Sequence, residues 1–176
     1  MKARVHIPVR SAISNYVTAI WETIPPGVSR ELILPKGIVE MVFNLSDPML
    51  GVLPHQLTAT TAPNCFLQGL HTHIITVQYT GNQHLLGICL QPHMVKSLLG
   101  VLPSECKDTL IDLTLLSSSF NSLWHRLKEA ASFEDRVTSM ANALYAFFGI
   151  TGEDAYYNYY HKNVYQTAYR MSTQNQ

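Results

Sequence analysis

The chain changes character at Gln91-Pro92, and this change limits its possible folds more than any other feature. From Tyr16 to Leu90, short segments rich in Val, Ile, Thr, Phe and Tyr are separated by Pro, Gly and Asn, which is typical of an antiparallel β-sheet. After Gln91-Pro92, apolar residues recur at helical spacing. Because 176 residues suffice for one domain with a helical extension, the sequence predicts an α+β fold.

At least five strands are expected in the first part of the chain. Pro35-Lys36-Gly37 and Gly81-Asn82 are both typical turn sequences, so each is predicted to close a hairpin between the strands beside it. A loop from about residue 46 to 64 is expected to hold one weak strand at most. The predicted strands cover residues 16–21, 31–34, 38–45, 66–79 with a bend at Gly69, and 84–90, with the weak strand at 56–60.

The strand at 38–45 presents two different faces because side chains alternate along a strand. One face is wholly apolar, whereas the other mixes Ile38 and Val42 with the polar residues Glu40 and Asn44. Such a mixed face suits either solvent or the lined interior of a small barrel. The sequence alone does not decide whether Glu40 faces solvent or the interior of a barrel.

Helices are expected for most of the chain beyond residue 91. Apolar stripes predict one helix that ends before Gly100, a pair between Ser119 and Gly149, and a last tyrosine-rich helix from Thr151. An extended patch is expected at 109–115. We therefore predict a sensor barrel at 1–90, a helical subdomain at 91–150, and a C-terminal helix at 151–176.

Charge and cysteine content exclude several functions. Twelve Lys and Arg residues balance twelve Asp and Glu residues, so the basic excess needed for non-specific DNA binding is missing, and weak repulsion between copies favours a homodimer. Cys65, Cys89 and Cys106 show no metal or redox spacing and are expected to be buried reduced thiols. No signal peptide or membrane span is evident, so a cytoplasmic location is expected.

Two stretches resemble the N-terminal domain of AraC-family transcriptional regulators. Residues 34–45, with sequence LPKGIVEMVFNL, resemble that family's hairpin leading into a glutamate-bearing strand, and residues 86–92, with sequence LGICLQP, resemble its last barrel strand. The similarity extends loosely over residues 11–148. It implies a cupin-like antiparallel β-barrel that senses a small-molecule effector, followed by helices that dimerise.

The resemblance also implies how DNA would be bound. AraC-family regulators carry a C-terminal domain with two helix-turn-helix units, and residues 163–176 are similar to its opening helix. No recognition helix follows, so DNA contact is expected only through a domain absent from this chain. A truncated regulator is expected in preference to a stand-alone sensory module.

The candidate ligand-binding residues are Glu40, Asn44, His71, His73, Gln68 and Tyr79. Glu40 and Asn44 would share one strand face and could orient a small polar ligand inside an apolar cavity. The alternative is that Glu40 braces the hairpin at the surface. No cofactor is expected.

His71 and His73 also suggest a runner-up, a metal-dependent cupin enzyme. Two apart on one strand, they would share a face, as the first two metal ligands of catalytic cupins do. The sequence offers only these two of the three or four ligands required, so no metal site is assigned and catalysis is not expected. No nucleophile motif is present either. A third alternative is a purely structural dimerisation module with a filled barrel.

Surplus apolar surface on the helix pair predicts a dimer interface. Adjacent aromatic residues near the end of the second helix point in different directions, so both cannot face one barrel. The predicted interface residues are Trp124, Leu127, Met140, Leu144, Phe147 and Phe148.

Overall fold

The computed structural model describes residues 2–149 except 10, 26, 54, 55, 93 and 94. The helix expected from Thr151 onward lies outside these residues. Within the described part, the strands are β1 (Lys2–His6), β2 (Val17–Ile24), β3 (Ser29–Ile33), β4 (Val39–Asn44), β5 (Met49–Val52), β6 (Thr60–Thr61), β7 (Cys65–Gly69), β8 (Ile75–Tyr79), β9 (Leu85–Leu90) and β10 (Leu110–Asp112). The α-helices are α1 (Val95–Leu99), α2 (Leu113–Leu116), α3 (Ser119–Glu129) and α4 (Phe133–Phe148).

The strands form two antiparallel sheets that face each other as the two halves of a cupin-like barrel. One sheet has the order β1-β2-β9-β4-β7-β10, and the other has the order β3-β8-β5-β6. With helices after the strands, this arrangement confirms the predicted α+β fold. β10 follows α1 in the chain but returns to pair with β7 in the larger sheet.

The two predicted hairpins are wrong. β3 pairs with β8, whereas β4 pairs with β7 and β9, so the turn at Pro35-Lys36-Gly37 carries the chain from one sheet to the other. The turn at Gly81-Asn82 likewise joins β8 to β9 across the barrel. Turn sequences reverse the chain direction, but they do not determine whether the next strand pairs locally or crosses to the opposite sheet.

Both faces of β4 are buried, and the clusters that they join show which way the face with Glu40 points. All six β4 residues are buried. Val39, Met41 and Phe43 belong to the core between the larger sheet and the helices, whereas Val42 belongs to a second cluster inside the barrel. Glu40 shares the Val42 face, so it points into the barrel and does not brace a surface hairpin.

Helices α3 and α4 cover the outer face of the larger sheet. Ser132 caps α4, since its Oγ accepts a hydrogen bond from the Asp135 amide at 3.0 Å, and α4 ends at Gly149, which has φ +57°. The apolar stripes of both helices join the strand residues in one core. No helix of the described residues is long and apolar enough to span a membrane.

Several boundaries differ from the sequence prediction. The strand expected at 66–79 is two strands, β7 and β8, separated by a loop in which Leu70 has φ +49°. Residues 113–116 form a helical turn after β10, because Asp112 caps it by accepting a hydrogen bond from the Thr114 amide at 2.8 Å. β1 and β5 were not predicted.

Candidate functional site

A cavity of about 470 Å³ lies between the two sheets. This volume falls in the range of small-molecule sites. Both sheets contribute to its wall, which is largely apolar. The apolar lining includes Ala19, Trp21, Ile33, Ile38, Val42, Met49, Phe66, Val77 and Leu85, and the polar lining includes Arg4, Glu22, Thr23, Glu31, Lys36, Glu40, Gln68, Tyr79 and Cys89.

Glu40 belongs to the polar lining and is only 6% exposed. Its Oε1 accepts hydrogen bonds from Trp21 Nε1 at 3.1 Å and from Cys89 Sγ at 3.2 Å. Its Oε2 accepts a hydrogen bond from Gln68 Nε2 at 3.3 Å. Cys89 and Gln68 lie on β9 and β7, the two strands that pair with β4, and Trp21 lies one strand further away on β2. The strand order and register of the larger sheet therefore determine the geometry of the carboxylate.

Trp21 reaches Glu40 because the adjacent strand gives its ring room. Gly87 on β9 is the direct partner of Trp21 in the β2–β9 ladder. A β-carbon at Gly87 would overlap the six-membered ring and the indole nitrogen of Trp21. Gly87 therefore lets the indole lie against the sheet, with its N–H directed at the carboxylate.

A second polar pair stands on the opposite sheet. Tyr79 is buried on β8, and its hydroxyl donates a hydrogen bond to Glu31 Oε2 on β3 at 2.7 Å. Burial raises the pKa of the Tyr79 phenol well above its ordinary value, and the bond to Glu31 and its charge act in the same direction. Tyr79 is thus a neutral hydroxyl on the cavity wall.

The cavity thiol is not poised for nucleophilic chemistry. Burial raises the pKa of Cys89 to about 12, and the negative charge of Glu40 adds to the increase. Burial also raises the pKa of Cys65 to about 11 and that of Cys106 in the same direction. All three cysteines are buried and unbridged, as the sequence predicts. Thiols with raised pKa values are poor nucleophiles because little thiolate forms.

The structure brings together three of the six predicted ligand-binding residues. Glu40, Gln68 and Tyr79 line the same cavity. Asn44 does not, although it is on the same strand as Glu40. Its Nδ2 donates to the Asp47 carbonyl at 2.7 Å and its Oδ1 accepts from the Ser46 amide at 3.2 Å, so it holds the turn after β4.

His71 and His73 are not in the cavity, which corrects the prediction for both. They lie in the loop between β7 and β8, and they do not share a face, because His71 is 8% exposed whereas the His73 side chain is 68% exposed. The loop is held by Asp108, whose carboxylate accepts hydrogen bonds from the Thr72 amide and hydroxyl. His73 Nδ1 is 3.8 Å from Asp108 Oδ2.

Neither ring nitrogen of His71 has a hydrogen-bond partner within the described part of the chain, although both are buried. Burial lowers the pKa of His71, and the charges of Asp108 and Glu40 oppose this only in part. Among the described residues, no group of three or more His, Cys, Asp or Glu side chains is placed to hold a metal ion.

The predicted dimer residues are largely enclosed within the chain. Leu127, Met140 and Leu144 are at most 1% exposed and pack in the core under the larger sheet, so they are not available to a partner. Their helical stripe is the one that faces the sheet. Trp124 and Phe147 are half-buried, and the side chain of Phe148 lies outside the described residues.

Polar contacts connect the helices with the strands that carry the cavity residues. Trp124 Nε1 donates to the Asn44 carbonyl on β4 at 2.6 Å. Arg136 on α4 donates to Glu22 Oε1 on β2 at 3.1 Å, and His84 Nε2 lies 2.8 Å from the same oxygen. Glu22 is buried on the helix-facing side of β2, directly after Trp21 in the chain.

Sequence reasoning missed Trp21, Glu31 and Cys89. Trp21 and Cys89 meet Glu40 only because β2, β9 and β4 are neighbours, and strand order between distant segments leaves no local trace in a sequence. One signal was present. An isolated Gly inside a strand such as 84–90 indicates close approach by another group, and at Gly87 that group is Trp21.

Comparison with known proteins gives a family match. A family model described as a domain of unknown function, DUF6597, matches residues 5–112. No curated protein matches the chain.

The solved structures that are similar to this chain at low identity include two that illustrate the range. The Cupin_2 domain of an XRE-family transcriptional regulator from Enterobacter cloacae is 9% identical, with a TM-score of 0.38, over 52% of this chain and 99% of that domain. Oxalate decarboxylase from Bacillus subtilis, a protein with Mn(II) centers, is 12% identical, with a TM-score of 0.34, over 62% of this chain and 37% of that protein.

Proposed function

This chain belongs to the DUF6597 family, whose description assigns no function, and we propose that its cupin-like barrel binds a small-molecule effector. The observation that carries this proposal is the Glu40 carboxylate, buried in the wall of a mostly apolar cavity of about 470 Å³. Apolar pockets with a few convergent polar groups are the usual form of a small-molecule site.

The proposed role is sensing without chemical turnover. The thiol on the cavity wall has a raised pKa, and Tyr79 is held as a neutral hydroxyl. These groups suit hydrogen bonding and shape recognition better than nucleophilic attack. A ligand recovered unchanged from the protein after prolonged incubation would support this part of the proposal, and a stoichiometric product would contradict it.

In the full proposal, the chain is the sensory and dimerisation part of an AraC-like regulator, and DNA is bound through a separate domain. The support is the resemblance of residues 34–45 and 86–92 to that family. The contacts Arg136–Glu22 and Trp124–Asn44 link the helices to β2 and β4, the strands that carry Trp21 and Glu40. An effector that shifts these strands would change how the helices pack.

Binding can be tested with N-phenyl-1-naphthylamine, a neutral dye whose fluorescence rises in apolar surroundings. Ala19 is half-buried on the cavity wall, and Ala19→Phe would place a ring in the space that the dye needs. Ala131→Phe makes the same change at an exposed position beside α4 and is the matched control.

We expect saturable fluorescence enhancement with the wild-type chain and with Ala131→Phe. Ala19→Phe should bind the dye about tenfold more weakly or not at all, which corresponds to about 1.4 kcal/mol or more. No enhancement with the wild-type chain, or equal binding by all three proteins, would contradict a ligand-binding cavity.

A further inference from the structure

We propose that the ligand of this cavity is a small organic cation, with an ammonium group that pairs with Glu40 and an apolar body that fills the rest. This inference rests on the proposed binding function and adds the chemical class of the ligand.

The first argument comes from comparing two equally buried glutamates. Glu22 is 5% exposed and Glu40 is 6% exposed. Glu22 faces the helices and has a cation of its own chain, since Arg136 lies 3.1 Å from its Oε1. No ion pair of the described residues includes Glu40, whose partners are an indole, an amide and a thiol.

A buried charge without a counter-charge is costly, and buried carboxylates are ordinarily paired. Glu40 faces the cavity, so the missing counter-charge can come from the ligand. A carboxylate has about four lone-pair sites, and three donors already occupy part of this capacity. An ammonium group that donates to the remaining capacity forms a charge-assisted hydrogen bond, which is roughly twice as strong as a neutral one.

The surroundings of Glu40 also suit a cation. The indole of Trp21 lies on the cavity wall beside the carboxylate, and aromatic faces attract ammonium groups. The wall formed by Val42, Phe66, Met49 and Val77 is apolar and suits the body of the ligand. Lys36 and Arg4 also line the cavity, but neither is in an ion pair with Glu40 among the described residues. A carboxylate ligand would instead meet the negative charge of Glu40 in a poorly solvated site, which is unfavourable.

Three compounds of nearly equal size separate these possibilities. Benzylamine is a cation at neutral pH, benzyl alcohol is neutral, and benzoate is an anion. Their affinities for the wild-type chain, Glu40→Gln and Glu129→Gln are measured by isothermal titration calorimetry. Glu129 is exposed at the end of α3 and does not line the cavity, so its variant makes the same charge change elsewhere.

For the wild-type chain and Glu129→Gln, we expect benzylamine to bind about tenfold tighter than benzyl alcohol, with benzoate weakest. In Glu40→Gln, benzylamine should lose this advantage, while binding of N-phenyl-1-naphthylamine shows that the cavity is still formed. If Glu40→Gln does not fold, the affinities of the three compounds for the wild-type chain decide whether the cavity prefers a cation.

Benzyl alcohol or benzoate binding as tightly as benzylamine would overturn the cationic ligand class. If the dye still binds in that case, the small-molecule site stands and only its ligand class is wrong. If Glu31→Gln, and not Glu40→Gln, removes the preference for the amine, the pairing of the ammonium group with Glu40 is wrong. If the dye does not bind the wild-type chain, both proposals fail.

Discussion

The indole of Trp21 lies where a side chain at Gly87 would be, and this arrangement directs the Trp21 N–H to Glu40 Oε1 at 3.1 Å. The two residues face each other across the β2–β9 ladder. A glycine in the middle of a strand weakens the strand, so its presence here is explained by the ring that it accommodates.

Gly87→Ala should displace the indole and disturb the cavity. Because the new methyl group overlaps the ring, we expect a loss of about 1–3 kcal/mol in the free energy of unfolding, measured by urea denaturation. Binding of N-phenyl-1-naphthylamine should weaken as well. Gly51→Ala is the control, since a β-carbon there meets nothing within 4 Å. Equal stability and equal dye binding of both variants would contradict the proposed packing.

The larger features of the fold could be predicted because they depend on local patterns. Helices α3 and α4 follow from apolar spacing and from Ser132 and Gly149 at their boundaries. The inward direction of Glu40 and Val42 follows from strand alternation once a barrel is assumed. Strand pairing could not be predicted in this way. Turn sequences precede β4 and β9, yet both turns cross between sheets.

Only part of the candidate site could be predicted, because local patterns determine the face of a strand but not contacts between distant segments. Glu40, Gln68 and Tyr79 are on strands whose inner faces alternate regularly, so their positions could be inferred. His71 and His73 were placed on a strand, but Leu70 at φ +49° and the bonds from Thr72 to Asp108 end β7 before them. The contact with Asp108 spans 36 residues and has no local signal in the sequence.

Arg136 should be important for attachment of the helices to the barrel. Its guanidinium donates to Glu22 and to the carbonyls of Leu127 and Ala130, and Arg136 is 9% exposed. Arg136→Met leaves Glu22 without its arginine partner, so we expect a loss of about 3–5 kcal/mol in the free energy of unfolding. Chemical denaturation followed by circular dichroism measures this loss.

The exposed pair between Arg4 and Glu134, with a distance of 3.8 Å, provides the control. Arg4→Met should cost less than about 1 kcal/mol because water screens the pair. The double variant Glu22→Gln, Arg136→Met should recover part of the stability lost in Arg136→Met. A loss no larger than that of Arg4→Met would contradict a structural role for the buried pair.

His71 should make the protein less stable in mild acid. Burial lowers its folded-state pKa below the ordinary value of 6.5, so below that value the unfolded chain binds more protons than the folded chain. The free energy of unfolding should therefore fall as the pH is lowered from about 6.5 toward the folded-state pKa. His71→Leu should show a smaller fall between pH 7.5 and pH 5.5, measured by urea denaturation.

His73→Leu is the matched comparison two residues away. Its side chain is exposed, so this variant should retain the wild-type decrease between the two pH values. If the free energy of unfolding of both variants depends on pH as that of the wild-type chain does, the buried imidazole of His71 does not cause the loss of stability in mild acid.

Dimerisation remains a prediction, with Trp124 and Phe147 as its described candidates. Phe147 is half-buried and stacks on Phe120 with ring centroids 5.0 Å apart. Sedimentation velocity at tens of micromolar should give the mass of two chains. Phe147→Lys should shift this toward one chain, whereas Asn142→Lys at an exposed position of α4 should not. A single-chain mass for the wild-type protein would contradict the prediction.

The two tryptophans of the chain allow the cavity to be observed directly. Trp21 lines the cavity, whereas Trp124 donates to the Asn44 carbonyl on the helix side, so nitrogen–proton NMR spectra should contain one indole signal from each environment. Substitution of each tryptophan by Phe assigns the signals. The most direct measurement titrates one sample of the protein first with benzyl alcohol and then with benzylamine while both indole signals are recorded.

Occupation of the cavity predicts that the Trp21 indole signal moves in a saturable manner, more strongly with benzylamine, while the Trp124 signal stays in place. If neither compound moves the Trp21 signal, or if only the Trp124 signal responds, small molecules do not bind between the two sheets and the proposed function is wrong.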